Sequence, residues 1–320
     1  MKALITGGLG FIGSNLARRL VAGGASVTLI DSLVPEYGGN LFNIEGIGDR
    51  VRVNISDVRD QYSLCHLVKG QDVLFNLAGQ TSHMDSMARP EIDLDINCKA
   101  QLSILEACRH HNPKIRVIFG STRQIYGKPR YLPVDENHPL DPVDVNGVNK
   151  LAGEQYHLLY GKVYGIATTV LRLTNVVGPR MRVKDARQTF LGVWIRNLID
   201  GKPIEVWGGE QLRDILDVAD CVDALLLAAR SDKSTGQIYN VGSREAINLL
   251  DLGKLLVDVN GGGEIVVREY PADRKSIDIG DYYTNADKIQ TDLGWAPRVS
   301  LRDSLAGLLD YYRKNLSSYV

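Results

Sequence analysis

Short apolar runs alternate with longer amphipathic stretches over the first half of the chain. Residues 3–5 (Ala-Leu-Ile) form one run, a glycine-rich turn follows, and from Ile12 to Leu20 apolar side chains recur at helical spacing until Gly23-Gly24. That order predicts strand, turn and helix. Strand-like runs return at 26–30, 51–55, 73–77, 115–119 and 167–171, and helices are predicted around 60–69, 95–111 and 147–164. Apolar strands separated by helices predict an α/β fold built on a doubly wound parallel sheet, covered on both faces. Beyond Asn175 the alternation breaks at Pro179, a basic stretch from Arg180 to Arg187 and a helix near 190–200. A first domain over 1–175 and a second, smaller α/β domain over 176–320 are therefore expected. The run Gln237-Ile-Tyr-Asn-Val241, closed by Gly242, reads as a strand that rejoins the first sheet, so a return segment near 213–242 belongs with the first domain. Helices over 249–259 and 301–314 complete the second.

Length agrees with this division, since 320 residues exceed the ~250–300 at which a single core stops growing. Charge narrows the possible partners. With 37 basic and 38 acidic residues the formal net charge is -1, which gives a polyanion nothing to follow and argues against nucleic-acid binding. Cys65, Cys98, Cys108 and Cys221 show neither paired spacing nor a nearby His at metal-ligand spacing, so they read as buried thiols in a reducing compartment, with no metal site. No apolar run approaches the roughly 20 residues that cross a bilayer, and Met1-Lys2 leads straight into a strand. A cytoplasmic protein without membrane attachment is expected.

The first candidate chemistry lies between the first strand and the first helix. Gly7-x-x-Gly10-x-x-Gly13 allows a tight turn, a close approach of backbone to a pyrophosphate and close packing of helix on sheet. Asp31 ends the second strand, where a carboxylate accepts both ribose hydroxyls of NAD and repels the 2′-phosphate of NADP. The pattern predicts a Rossmann domain that holds NAD.

Several further motifs follow in order. They are Ser56-Asp57-Val58-Arg59-Asp60, Asn76-Leu77-Ala78-Gly79-Gln80, Ser121-Thr122-Arg123-Gln124-Ile125-Tyr126-Gly127 and Thr174-Asn175-Val176-Val177-Gly178-Pro179-Arg180, then Arg213-Asp214 and Gly294-Trp295. Along nearly its whole length the sequence resembles the extended short-chain dehydrogenase/reductase family, the nucleotide-sugar epimerases and dehydratases. The resemblance implies that Gly7, Gly10, Phe11, Ile12 and Gly13 form the dinucleotide loop, that Asp57 and Val58 cap the adenine, and that Leu77 and Ala78 lie beside the cofactor. It implies that Thr122 hydrogen-bonds the reacting sugar oxygen and that Lys150 holds the nicotinamide ribose. Asn175, Arg213 and Arg274 would meet the substrate's pyrophosphate and Trp207 would stack on its base. It also implies a homodimer formed through the helices over 95–111 and 150–164.

One position departs from the family pattern. A tyrosine is expected four residues before Lys150, where the lysine's charge helps its phenolate take the sugar hydroxyl's proton, but the residue is Asn146. An amide cannot act as that base. Either another titratable group replaces it, with Tyr126, Asp144, His83 and Asp85 as candidates, or the protein binds its ligands without an efficient redox step. Retention of Thr122, Lys150 and the phosphate-contact motifs favours an enzyme. A second departure disfavours dehydration: Arg123 and Gln124 stand where the resemblance places the Asp-Glu pair of 4,6-dehydratases. Arg123 would instead suit a carboxylate or phosphate. The leading expectation is an NAD-dependent nucleotide-sugar epimerase acting at C4 through a keto sugar. The alternatives are a non-catalytic regulatory protein that binds NAD and a nucleotide sugar, and another keto-forming enzyme, namely a decarboxylase, dehydratase or 3/5-epimerase.

Overall fold

The computed structural model of the protein describes residues 1–271 and 277–320. In chain order its strands are β1 (Lys2–Thr6), β2 (Ser26–Asp31), β3 (Val51–Ile55), β4 (Val73–Asn76), β5 (Arg116–Thr122), β6 (Ala167–Leu173), β7 (Asn175–Val177), β8 (Ile204–Trp207), β9 (Leu212–Asp217), β10 (Ile238–Val241), β11 (Ala246–Asn248) and β12 (Ile265–Arg268). Its α-helices are α1 (Phe11–Ala22), α2 (Gln61–Leu67), α3 (His83–Ala88), α4 (Pro90–Leu94), α5 (Ala100–His111), α6 (Val145–Tyr164), α7 (Phe190–Ile199), α8 (Val218–Arg230), α9 (Leu249–Asn260), α10 (Asp287–Leu293) and α11 (Leu301–Asn315).

Seven strands make one parallel sheet in the order β10-β6-β5-β4-β1-β2-β3. This is the doubly wound arrangement that the alternation predicts. The run over 237–241 does supply its far edge, as β10 beside β6. Central strands are buried along their whole length, as in β4, which is why their sequences read as continuous apolar runs. Two small sheets, β11-β9-β7 and β12-β8, lie beyond. One apolar cluster nevertheless extends from Leu16 and Leu29 through Trp194 and Leu256 to Tyr312, so these later elements share the core under the main sheet.

Chain direction across the sheet reverses between β1 and β4, and such a switch point opens a crevice at the strands' carboxyl ends. The Thr6 hydroxyl clips the two ends together, donating to Asn76 Oδ1 (2.9 Å) and accepting from the N–H groups of Leu77 and Ala78 (3.0 and 3.1 Å).

Several elements differ from the pattern's prediction. The helix expected over 95–111 begins as a π turn, Asp95–Lys99, before α5. The wider turn brings Asn97 inward, where its amide donates to the Gln80 carbonyl (2.9 Å). Helix α8 is not among the predicted elements although it is amphipathic, burying Val218, Cys221, Val222, Leu225 and Ala228 and leaving Leu227 and Arg230 exposed.

Helix α6 lies close against this π turn. A Cβ at Gly153 would stand 3.0 Å from the Asn97 carbonyl oxygen. One turn on, His157 is fully buried and stacks on Phe119 with ring centroids 4.2 Å apart. Its Nδ1 lies 2.7 Å from the Gly153 carbonyl and its Nε2 lies 3.2 Å from Asn76 Nδ2, so the neutral ring with a proton on Nδ1 satisfies both neighbours. Burial, opposed by the Gly153 carbonyl and reinforced by the nearby Lys150 charge, pushes its pKa from 6.5 down to about 4. The fold therefore binds fewer protons than the unfolded chain in that window. Stability from this site is complete above about pH 6.5 and is lost as pH falls toward 4. Denaturant titrations at about pH 7 and pH 5 should show the native chain losing about 2 kcal/mol more than His157→Gln between the two.

Candidate active site

At the switch point a cavity is lined by Gly7, Gly10, Phe11, Ile12, Gly13, Asp31, Asp57, Val58, Leu77 and Ala78. The fold thus gathers the residues of three separate sequence motifs along one wall. Gly7 has φ +67°, and a Cβ at Gly13 would come within 2.2 Å of the Gly7 carbonyl oxygen, so only glycine lets α1 start this close to the turn. Gly10 caps α1 without a side-chain hydrogen bond, which leaves backbone N–H groups of the first turn free to meet an anion. Asp31 accepts from the Leu9 N–H through Oδ2 (3.0 Å) and from the Leu33 N–H through Oδ1 (2.9 Å). Burial raises its pKa, and these backbone donors oppose the rise. Arg59 holds the Asp57 carboxylate at 2.7 Å and below the usual range. A glycine cradle, a helix start and a fixed carboxylate suit a dinucleotide.

Phe11, Ile12 and Leu77 also line a neighbouring cavity, whose further walls include His83, Thr122, Arg123, Gln124, Asn146, Lys150 and Asn175. Thr122 ends β5, and its hydroxyl oxygen accepts from the Gln124 N–H (3.2 Å). The buried Lys150 ammonium donates to the Gly120 carbonyl (3.2 Å) and lies 5.1 Å from the Phe119 ring centroid. Burial pushes its pKa down to about 8, with Asp93 pulling the other way.

Asn146 sits at this wall, but its amide is committed to the scaffold. Nδ2 donates to the Gln80 carbonyl (2.8 Å) and to Asp93 Oδ2 (3.0 Å), while Asn149 Nδ2 donates to Asp93 Oδ1 (2.8 Å). Gln80, which ends the motif Asn76–Gln80, forms this support with Asp93 and Asn149, and motif reading does not find the last two because a buried carboxylate between two amides has no fixed spacing in sequence.

Tyr126 must be corrected as a catalytic candidate. Its ring is fully buried, its hydroxyl donates to Asn240 Oδ1 (2.6 Å) and accepts from Arg172 Nη1 (2.7 Å), and burial pushes its pKa up to about 12 despite the arginine. The short 3₁₀ turn Arg123–Tyr126 after β5 carries the phenol into the core instead of the cavity. Asp85 is paired with Arg187 at 2.9 Å. Asp144 caps α6 by accepting from the Gly147 N–H (2.7 Å), accepts from Gln124 Nε2 (2.9 Å) and lies 2.8 Å from His83 Nδ1.

A third cavity continues outward past His83, Arg123 and Asn175 to Trp207 and Arg213. Arg123 Nη2 donates to Asn175 Oδ1 (3.1 Å), and its buried Nη1 has no hydrogen-bond partner among the described residues. Burial, with Arg213 close by, lowers the Arg123 pKa to about 10. Arg213 donates to the carbonyls of Leu212 (2.8 Å) and Gly280. Trp207, at the end of β8, is half-buried. Arg274 lies outside the described residues.

Comparison with known proteins agrees with this geometry. Residues 3–242 match the family described as NAD dependent epimerase/dehydratase family. A relative from Methanocaldococcus jannaschii, described as a putative UDP-glucose 4-epimerase, is 30% identical over 314 residues covering 98% of both chains. A CDP-paratose 2-epimerase of Salmonella typhi is also 30% identical, over 97% of this chain and 99% of its own. Among solved structures, a dTDP-glucose 4,6-dehydratase from Streptomyces venezuelae with NAD bound superposes with a TM-score of 0.90 at 26% identity, over 99% of this chain and 98% of that one. With the match spanning most of its length and its first cavity shaped for a dinucleotide, the chain belongs to the NAD-dependent epimerase/dehydratase family and is an enzyme of that family with NAD as its cofactor.

Proposed function

We propose that this enzyme is a nucleotide-sugar epimerase that acts at C4 through a keto-sugar intermediate. The observation that carries the reading is the continuity of the three cavities, in which Thr122 and Lys150 stand between the glycine cradle and the pocket of Asn175, Trp207 and Arg213. When bound, NAD accepts a hydride from a sugar carbon and gives it back. Gly7, Gly10, Phe11, Ile12 and Gly13 would cradle its pyrophosphate, Asp31 would accept its ribose hydroxyls, Asp57 and Val58 would border the adenine, and Leu77 and Ala78 would wall the nicotinamide side. Lys150, still mostly charged at neutral pH, would hold the second ribose, and Thr122 would orient the reacting hydroxyl. Asn175, Arg213 and, as the resemblance implies, Arg274 would bind the substrate's pyrophosphate, with Trp207 against its base.

Dehydration is disfavoured by the two residues after Thr122. Arg123 is cationic and Gln124 is hydrogen-bonded to Asp144, so neither supplies the acid/base pair that water loss requires. The unpartnered Arg123 Nη1 favours including sugars that carry a carboxylate among the substrates tested. No described helix is long and apolar enough to cross a membrane, and we place the enzyme in the cytoplasm. Exposed Leu102 on α5 and Val148, Leu159 and Val163 on α6 support a homodimer formed through these helices.

Three measurements test this reading. Isothermal titration with NAD should give roughly 100-fold weaker binding for Gly13→Ala, because the new methyl moves the start of α1 off the turn and loses one or two charge-assisted hydrogen bonds. Sedimentation should show a dimer that Leu159→Asp converts to monomer. Proton NMR in deuterium oxide, with UDP-, dTDP-, GDP- and CDP-hexoses and hexuronates, should show a 4-epimer forming with no deuterium on carbon. Deuterium beside the carbonyl would point to enolisation and a 3/5-epimerase or dehydratase, and absence of turnover with both ligands bound would favour the binding protein.

A further inference from the structure

The loss of the family's tyrosine leaves the site in need of a proton acceptor, and the surroundings of each titratable group decide which one can serve. Tyr126 is buried and engaged at its hydroxyl. Asp93 is buried and holds the amides of Asn146 and Asn149. Asp85 faces Arg187. Asp144 has a fully covered side chain, with the Gly147 N–H, the Gln124 amide and His83 around it. Lys150 is a donor to the Gly120 carbonyl. His83 differs from all of these: its side chain is 39% exposed and lines both the cavity of Thr122, Asn146 and Lys150 and the outer cavity of Trp207 and Arg213.

We propose that His83, oriented by the buried Asp144, is the catalytic base of this site in place of the missing phenol. The assignment rests on the epimerase reading above. His83 Nδ1 is buried and lies 2.8 Å from Asp144 Oδ2, a charge-pair contact without hydrogen-bond geometry in this structure; a small rotation of the ring would aim an Nδ1 proton at the carboxylate and leave Nε2 as an acceptor. Both partners are held by the starts of helices. His83 is the first residue of α3, where the Ser82 hydroxyl accepts from the Asp85 N–H (3.1 Å). Asp144 caps α6, the helix that also carries Asn146 and Lys150. The charged groups around the imidazole are Asp144 from α6, Asp85 with its partner Arg187, and Arg123 and Lys150 across the cavity.

In the forward step the sugar's O–H bond breaks and its proton goes to His83 Nε2. The adjacent C–H bond breaks with its electron pair as a C=O double bond forms, and NAD, when bound in the Gly7–Gly13 cradle, would supply the acceptor for that hydride. The imidazolium so produced lies beside the Asp144 carboxylate, which holds it in place and compensates its charge. Return of hydride to the other face of the ketone and of the proton from Nε2 to oxygen yields the epimer. Atoms and electrons balance, and base and cofactor are both restored. Asp144 acts through His83 and is a positioning residue.

Two readings test the assignment on holoenzyme. The first is NMR of protein labelled with ¹⁵N-histidine and does not require turnover. The expected spectrum places the His83 proton on Nδ1, shows an Nε2 resonance that moves when UDP-hexose is added, and loses the tautomer preference in Asp144→Asn. A proton on Nε2, or a resonance indifferent to the sugar nucleotide, overturns the proposal. The second reading uses whichever sugar nucleotide the native enzyme epimerises. His83→Gln, which leaves the cap of α6 intact, should lower kcat by about 10²–10⁴-fold with little change in sugar-nucleotide affinity, and added imidazole should restore part of the rate to His83→Ala. Undiminished kcat in His83→Gln overturns the dyad and leaves the epimerase reading standing. Failure of the native enzyme to turn over any sugar overturns that reading instead, and the spectrum still decides the state of His83.

Discussion

A buried ion pair between β6 and α6 sets the position of the helix on which the site depends. Arg172 donates through Nε to Glu154 Oε2 (3.1 Å) and through Nη2 to Oε1, and the Ser121 hydroxyl adds a bond to Oε2 (3.0 Å). Both charges are almost fully removed from water, so deleting one partner would strand the other at a cost of about 3–5 kcal/mol. Glu154, Lys150 and Asn146 follow one another at four-residue spacing and so share a face of α6. Anchoring the first against the sheet therefore indexes the other two along it, and brings the Asp144 cap to the cavity rim. The same guanidinium also holds Tyr126 in the core, donating through Nη1 to its hydroxyl (2.7 Å) and to the Glu136 carbonyl (3.5 Å).

The parts of the molecule that are legible in sequence are those governed by local rules. Apolar runs mark the seven strands of the sheet because buried parallel strands need apolar residues on both faces, and the Gly7–Gly13 turn announces itself because a Cβ there would collide with backbone. Asp144 is readable as a helix cap from its place just before α6. Long-range polar pairing is not readable in the same way. Asp93 meets Asn146 and Asn149 across more than 50 residues of chain, and Asp144 meets His83 from another helix start. Nothing in spacing tells which amide will face which carboxylate. Tyr126 shows the converse limit, since its motif position places it near the site while a single 3₁₀ turn decides that it faces away.

Electrostatically, the cavities form a gradient. Around the glycine cradle the fixed charges are carboxylates, Asp31 and Asp57, whereas the outward pocket carries Arg123, Arg187 and Arg213 beside Glu205 and Asp278, with the pKa values of Arg123 and Arg213 depressed by burial. Neighbouring buried guanidinium groups destabilise one another until an anion arrives between them. Asp278 and Asp214 offset part of that repulsion, and the cavity of Thr122 and Lys150 lies between the two regions.

The Asp93 bridge also constrains what position 146 can hold. A tyrosine at position 146 would take away one of the amide donors to a buried carboxylate and leave the other, Asn149, to satisfy it alone. An acceptor deprived in this way typically costs about 1–3 kcal/mol, which is a large share of a protein's net stability. Asn146→Tyr is therefore expected to be better tolerated when position 93 changes with it. Position 146 is thus coupled to position 93 through a shared buried carboxylate.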